Sequence, residues 1–364
     1  MKYIDEFYDR KICVNLAEEI AKKSLGTELT FMEVCGTHTM SIFRNGIKDL
    51  LPENISVLSG PGCPVCVTPN RTIDKAIAIA RLNEVCVCSF GDMMRVPGSS
   101  STLAQERGRG ADVKVVYSAT DAVGIAERNP DKKVVFLGIG FETTTPTVAS
   151  SIKDSALKGL KNYFVLPAAK LIPPAIKAIL NSGKTKIDGF LLPGHVSVII
   201  GRKPYEFIAE DYGIPCAIAG FEPTDILYAI LRLVEQINNG SPAVENCYRR
   251  SVKEDGNKLA KDMMNEVFEV CDSEWRGLGV IPSSGLKIEK KYRAFDALHN
   301  FKMDVEETKE NPDCLCGDVL RGVASPLDCA LFGGVCTPEN PAGPCMVSSE
   351  GTCAAYYKYA DVRR

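Results

Sequence analysis

The chain has 364 residues, 45% of them hydrophobic, with 43 basic and 46 acidic side chains and a net charge of -3. That is more apolar material than one ordinary core needs, and two or three domains are expected. The balanced charge, without a long run of either sign, argues against a nucleic-acid partner, and no apolar stretch approaches the length of a membrane span.

The first segment, MKYIDEFYDRKICVNLAEEIAKK, has the pattern of an amphipathic helix over roughly 5–24 and lacks a signal peptide's apolar core, which predicts a cytoplasmic protein. Fifteen cysteines in that compartment point to metal binding or redox chemistry, because cytosolic thiols are held reduced.

Short apolar or β-branched runs then predict eight strands, near 30–34, 55–59, 85–90, 113–117, 134–139, 162–166, 187–192 and 215–219. Helical patterns fill several gaps, as where Ile73, Ala76, Ile77 and Ala80 fall at i, i+3, i+4 and i+7. This alternation predicts an α/β fold of parallel sheets with crossover helices. FMEVCGTHTM (31–40) resembles FLGIGFETTT (136–145), and SATDAV (118–123) resembles EPTDIL (222–227). Their offsets, 105 and 104 positions, are those of one α/β unit duplicated in tandem.

The expected organisation is therefore two similar doubly wound parallel-sheet domains, 26–119 and 120–244. A third, smaller cysteine-rich domain of helices and loops is expected from 1–25 and 245–364, with the N-terminal helix packed on the tail. CGTHT, GPGCPVC and FGDMMRVPG in the first half, and GFETT and PGHVS in the second, follow strands. Open α/β sheets bind ligands at the carboxyl ends of their strands, so the two halves are expected to face each other across a cleft lined by these loops.

In the tail, Cys314, Cys329, Cys336 and Cys353 are separated by 14, 6 and 16 residues rich in Gly and Pro. Such a segment has little core of its own, and a metal that cross-links its loops would replace it. A [4Fe-4S] cluster fits four thiolates, with a structural zinc site as the alternative. CPVC, Cys63 to Cys66, lies between a strand and a helix. There the helix N-terminus stabilises a thiolate and a second cysteine can close a reversible disulfide.

Cys35 ends a strand and is either inert packing or an iron-binding or nucleophilic thiol. His38 and His195 lie in Gly-containing loops as proton donors, ligands or plain polar residues, whereas His299 fits an exposed helix. Glu142 opens a helix, where an acid also serves as ordinary capping. Cys13, Cys86, Cys88, Cys216, Cys247 and Cys271 read as core. GIGFET lacks a dinucleotide fingerprint's third glycine, and there is no P-loop.

Taken together, CGTHT, GPGCPVC, GFETTTP, PGHVS and the tail motifs CGDVLRG, PLDCALFGGVCTP and CMVSSEGTCAAYY resemble, in order and nearly end to end, the HypD family of [NiFe]-hydrogenase maturation proteins. The resemblance implies two similar α/β domains and a third, built from both termini, that holds a [4Fe-4S] cluster on Cys314, Cys329, Cys336 and Cys353. Cys316 and Cys345 fall outside that pattern. It also implies a scaffold, formed with a HypC-like chaperone, on which the Fe(CN)2CO group of the hydrogenase active site is assembled with cyanide from a HypE-like donor. Cys35 would hold the transient iron together with a cysteine of the chaperone, and Cys63 and Cys66 would be the redox pair. His38, Glu142 and His195 match polar positions of the motifs.

Low-spin iron bearing cyanide and CO suits thiolate ligation, and releasing cyanide from a thiocyanate needs the two electrons that a dithiol supplies on closing to a disulfide. The expected protein is a scaffold with redox activity, monomeric when alone, whose cluster re-reduces the Cys63 and Cys66 pair. The competing expectations are a cytosolic iron-sulfur thiol-disulfide oxidoreductase, which has no need of Cys35, and an adaptor with a zinc-stabilised tail.

Overall fold

The computed structural model describes residues 5–360; residues 1–4 and 361–364, the extremities of the expected third domain, lie outside the described residues. All eight expected strands form: β1 (Leu29–Glu33), β2 (Ile55–Ser59), β3 (Val85–Ser89), β4 (Asp112–Val115), β5 (Lys133–Gly140), β6 (Tyr163–Ala169), β7 (Gly189–Pro193) and β8 (Cys216–Ala219). A short β9 (Val244–Asn246) and an antiparallel pair, β10 (Phe268–Trp275) and β11 (Gly279–Ile288), complete the set among the described residues.

The strands assemble differently from the expected consecutive halves. One sheet runs β2-β1-β7-β8-β9 and the other β4-β3-β5-β6, with every pairing in both sheets parallel. If β5 to β8 repeat β1 to β4, as the sequence offsets indicate, each sheet has its strands in the same order, second-first-third-fourth. Each sheet nevertheless takes its first two strands from one repeat and its last two from the other. The division into 26–119 and 120–244 therefore fails because the repeats have exchanged halves. The chain crosses between the sheets after β2 and again after β6. Strand-forming runs are a local property, whereas the choice of partner is made by packing.

Both sheets are covered on both faces, as all-parallel sheets require. On β3 the alternation is plain: Val85 and Val87 point into a core shared by the two sheets, while Cys86 and Cys88 point to the outer layer. The shared core also contains Cys63, Cys66, Cys316, Cys345 and Trp275.

The N-terminal helix, Arg10–Lys23, is capped by Asp9 and does not pack on the tail. Its Cys13 and Ile20 join Ile226, Ile230 and Leu233 of the helix Pro223–Asn238 on the outer face of the first sheet, and Lys23 pairs with Glu235 at 3.0 Å. Its apolar stripe finds the larger apolar surface there. The segment after 245 is likewise divided. Phe268, Leu286 and Ile288 of the β10–β11 pair pack with Val148 and Ile152 on the second sheet. The cysteine-rich tail beyond about residue 311 forms short helices and loops, and its last helix, Thr352–Tyr359, docks on the helix Gly36–Arg44 through Phe43 and Tyr356, whose rings lie 4.5 Å apart. Among the described residues no helix is long and apolar enough to cross a membrane.

Candidate functional site

In the first sheet, β1 lies beside β7, with β2 and β8 on opposite flanks. Successive crossovers diverge at such a switch point and leave a crevice at the strand ends. Cys35 follows β1 and His195 follows β7, so the exchange of halves brings CGTHT and PGHVS together. Phe141, Thr143 and Thr144 reach in from β5 of the second sheet, Gly62 and Pro64 from the GPGCPVC loop, and Glu350 from the tail. They line a cleft of about 390 Å³. This is the facing pair of loop sets expected from the motifs, redistributed between the sheets.

Cys35 caps the helix Gly36–Arg44 from an extended conformation and is buried. Burial pushes its thiol up to about 12, the Glu350 and Glu33 carboxyls push the same way, and the backbone N–H groups of His38 and Thr37 pull against them. An incoming cation would reverse that balance, because metal coordination favours the thiolate. Beneath Cys35, the buried Glu33 accepts the Cys35 N–H at 2.8 Å and the Thr39 hydroxyl, and burial raises its carboxyl to about 7.

His38 is fully buried, and desolvation lowers it to about 4. The neutral ring donates from Nε2 to the Gly220 carbonyl at 2.9 Å and leaves Nδ1 without a partner among the described residues. His195 stacks on Phe221, 3.9 Å between ring centroids, and Phe221 also borders His38. Glu142 does not cap its own helix. It is buried, its Oε1 accepts the N–H of Ile172 at the start of the helix Ile172–Ser182, and burial raises it to about 7. His299 is exposed, as expected.

Gly62 fixes the relation of CPVC to Cys35. A Cβ at position 62 would lie 2.1 Å from the Cys35 nitrogen, so the two loops touch backbone to backbone, and Gly36 donates its N–H to Gly62. Cys63 caps the short helix Pro64–Val67 and accepts the Cys66 N–H at 3.2 Å. Burial works against a charged Cys66, but hydrogen bonds from Cys345 and Cys63, with Arg276 nearby, outweigh it and bring Cys66 down to about 6. Cys63, buried and beside that sulfur, is pushed up.

The sulfurs continue inward. Cys345 Sγ lies 2.8 Å from that of Cys316, and the thiols of Cys66 and Cys353 are near enough to act on it. Cys314 is electrostatically coupled to Cys353 and Cys329, as is Cys336, so the four tail cysteines share one neighbourhood. Ala342 donates its N–H to Cys336 Sγ at 3.3 Å, and Gly343 passes so close to Cys314 that a Cβ there would stand 2.8 Å from its sulfur. Among the described residues no three His, Cys, Asp or Glu side chains are grouped for a single ion. The looser set of four thiols, with a backbone donor on one sulfur, has the donor chemistry of a [4Fe-4S] site, in which each iron takes one thiolate.

Three features were missed in the sequence. Glu350 is a lone acid whose partner, Thr37, lies 313 positions away. Arg276 is buried at the turn between β10 and β11, donates from Nε to the Thr68 carbonyl at 3.1 Å and also reaches Asn70 and Glu310, tying CPVC to the tail. Cys316 and Cys345 were left without a role, although their position in Cys- and Gly-rich segments was the available signal.

A doubly wound α/β protein with thiols concentrated in its cleft, core and tail carries the donors that soft metals and thiol-disulfide exchange use. A family model, HypD, described as "Hydrogenase formation hypA family", matches residues 11–360. The chain is 50% identical to the hydrogenase maturation factor HypD2 of Bradyrhizobium diazoefficiens, covering 100% of this chain and 98% of that one. It is 49% identical to HypD of Cupriavidus necator (99% and 97% covered) and 44% identical to HypD of Escherichia coli (99% and 98%), each a hydrogenase maturation factor. The chain belongs to the HypD family of hydrogenase maturation factors.

Proposed function

We propose that the protein is the scaffold on which the Fe(CN)2CO group of a [NiFe] hydrogenase is assembled, with a HypC-like chaperone sharing the iron and a HypE-like protein delivering cyanide. The observation that carries this reading is the backbone contact between Gly62 and Cys35, which holds the loop bearing the dithiol against the thiol that lines the cleft. Cys35 takes the iron as substrate, and coordination displaces its proton. The neutral His38 presents an unpartnered Nδ1 on the helix that Cys35 caps, His195 lines the cleft, and Glu142 lies buried between Phe141 and Thr143, which line it too.

Cyanide release balances without an outside proton. The thiolate of the Cys63 and Cys66 pair attacks the sulfur of R–S–C≡N, and cyanide leaves with the C–S electron pair. The second thiol then resolves the mixed disulfide and passes its proton to the departing R–S group. The products are the Cys63–Cys66 disulfide, R–SH and CN⁻, which binds iron. Cys314, Cys329, Cys336 and Cys353 would hold a [4Fe-4S] cluster, which when bound supplies single electrons.

The test is infrared spectroscopy of the protein purified anaerobically with its HypC-like partner. Cyanide and CO bands are expected from the wild type and none from Cys35→Ala. A Cys63→Ser, Cys66→Ser double variant that still acquired cyanide at the normal rate would remove the dithiol from the scheme. The sulfur series Cys66, Cys345, Cys316 favours a second reading, a thiol-disulfide oxidoreductase acting on an external disulfide. Loss of maturation on removing Cys35 alone decides against it.

A further inference from the structure

One acid in the cleft takes no part in those steps. Glu350 arrives from the tail, and it occupies space that a side chain at position 36 would need: a Cβ there would stand 2.5 Å from Glu350 Cβ and 2.7 Å from its carbonyl oxygen. Oε1 accepts the Thr37 hydroxyl at 2.7 Å, which orients the carboxyl. Oε2 has no hydrogen-bond partner among the described residues, and Glu350 lines the cleft with Cys35, Thr37 and His195. Its charge is felt by Cys35, Cys63 and Cys66 alike, so it stands within electrostatic reach of all three sulfurs that the reaction uses. One oxygen is held by Thr37, and the other is left open on the side of the cleft. Burial, foremost, raises its pKa and favours the acid form, which carries a donor.

We propose that Glu350 contacts the cyano group handled in the cleft, donating a hydrogen bond from Oε2 to the cyano nitrogen. The proposal rests on the reading of cyanide transfer given above. A cyano nitrogen accepts hydrogen bonds whether its carbon is held by sulfur or by iron. As the C–S bond breaks, negative charge gathers on that group, and a donor already in position lowers the barrier. Glu350 keeps its proton, so the balance of the step is unchanged.

The experiment uses full-length protein with its HypC-like partner and a cyanide-charged HypE-like donor, as wild type, Glu350→Gln and Glu350→Ala, followed by infrared spectroscopy over time. Glu350→Gln keeps a donor and is expected to load at close to the wild-type rate with displaced cyanide bands. Glu350→Ala is expected to load about 10-fold more slowly, the equivalent of about 1.4 kcal/mol, also with displaced cyanide bands. Thr37→Val, which leaves the acid in place but unoriented, is expected to slow loading less than Glu350→Ala.

Loading of Glu350→Ala at the wild-type rate with unmoved cyanide bands overturns the proposal. So does a variant whose only change is a lower melting temperature, since that is the mark of a residue that only pins the tail. Wild-type protein without any cyanide band overturns the underlying reading, whatever the Glu350 variants do.

Discussion

The loops after β1 and β5 occupy equivalent places in two sheets of the same strand order, and they have diverged in use. After β1 the chain reads Cys35-Gly36-Thr37-His38, with Glu33 buried beneath; after β5 it reads Gly140-Phe141-Glu142-Thr143, with Gly138 in place of the acid. The first loop holds a thiol that nothing in the fold needs to be a thiol. The second holds a carboxyl whose bonded oxygen ties down a neighbouring helix. The frame is present twice, and the thiol stands in one copy alone. The equivalent helices that follow β4 and β8 differ in the same manner: Asp121 reaches back to the N–H groups of Tyr117 and Ser118, while Asp225 grips Arg250 with both oxygens.

This contrast can be broken most sharply at Cys35. Cys35→Ala is expected to abolish hydrogenase maturation while leaving the melting temperature close to wild type; a collapse of stability would make Cys35 a packing residue. Asp225→Ala is expected to cost about 2 kcal/mol in urea unfolding, because a guanidinium held between Phe7 and Tyr248 loses the buried one of its two carboxylates and keeps only Glu222. Asp121→Ala, which removes only an exposed cap, is expected to cost about 1 kcal/mol. Equal costs would erase the distinction between the two helices.

At Gly140 an added methyl would meet Thr144 Cβ at 2.5 Å. Gly140→Ala is expected to lose about 1–3 kcal/mol of stability yet bind iron normally. A last contrast concerns pH. The folded pKa of Glu142, about 7, lies above the unfolded value of about 4.3, so wild-type stability falls as pH rises between the two and is level above. Glu142→Gln keeps an acceptor for the Ile172 N–H and is expected to flatten that window and add about 1–2 kcal/mol above pH 7. A pH profile parallel to wild type would place the titration elsewhere.

Much of this was legible in the sequence because it is local. Each of the eight strands is a run that suits a pleated, buried surface, and Cys35, Cys63 and Cys66 each sit where a strand gives way to a helix. The equal offsets of the two motif pairs disclosed a repeat. They could not disclose the exchange of halves, because tandem and exchanged repeats have the same sequence, and only the pairings of β1 with β7 and of β3 with β5 separate them. The N-terminal helix was misplaced for a related reason: its amphipathic pattern announces a buried face but does not name the surface that buries it. Glu350 and Arg276 act across folds of the chain that no spacing encodes.

The double crossing has a consequence for how the molecule comes into being. Thr30 donates its N–H to Asp188, 158 positions further along, so β1 leaves the ribosome long before β7, which flanks it, exists. The second sheet is one continuous stretch of chain, from β3 to β6, inserted between β2 and β7, whereas the first sheet is split by it and cannot be finished until β7 and β8 have been made. The cleft around Cys35 takes its walls from the ends of β1, β5 and β7 and from Glu350 of the tail, so it closes only when nearly the whole chain has been made.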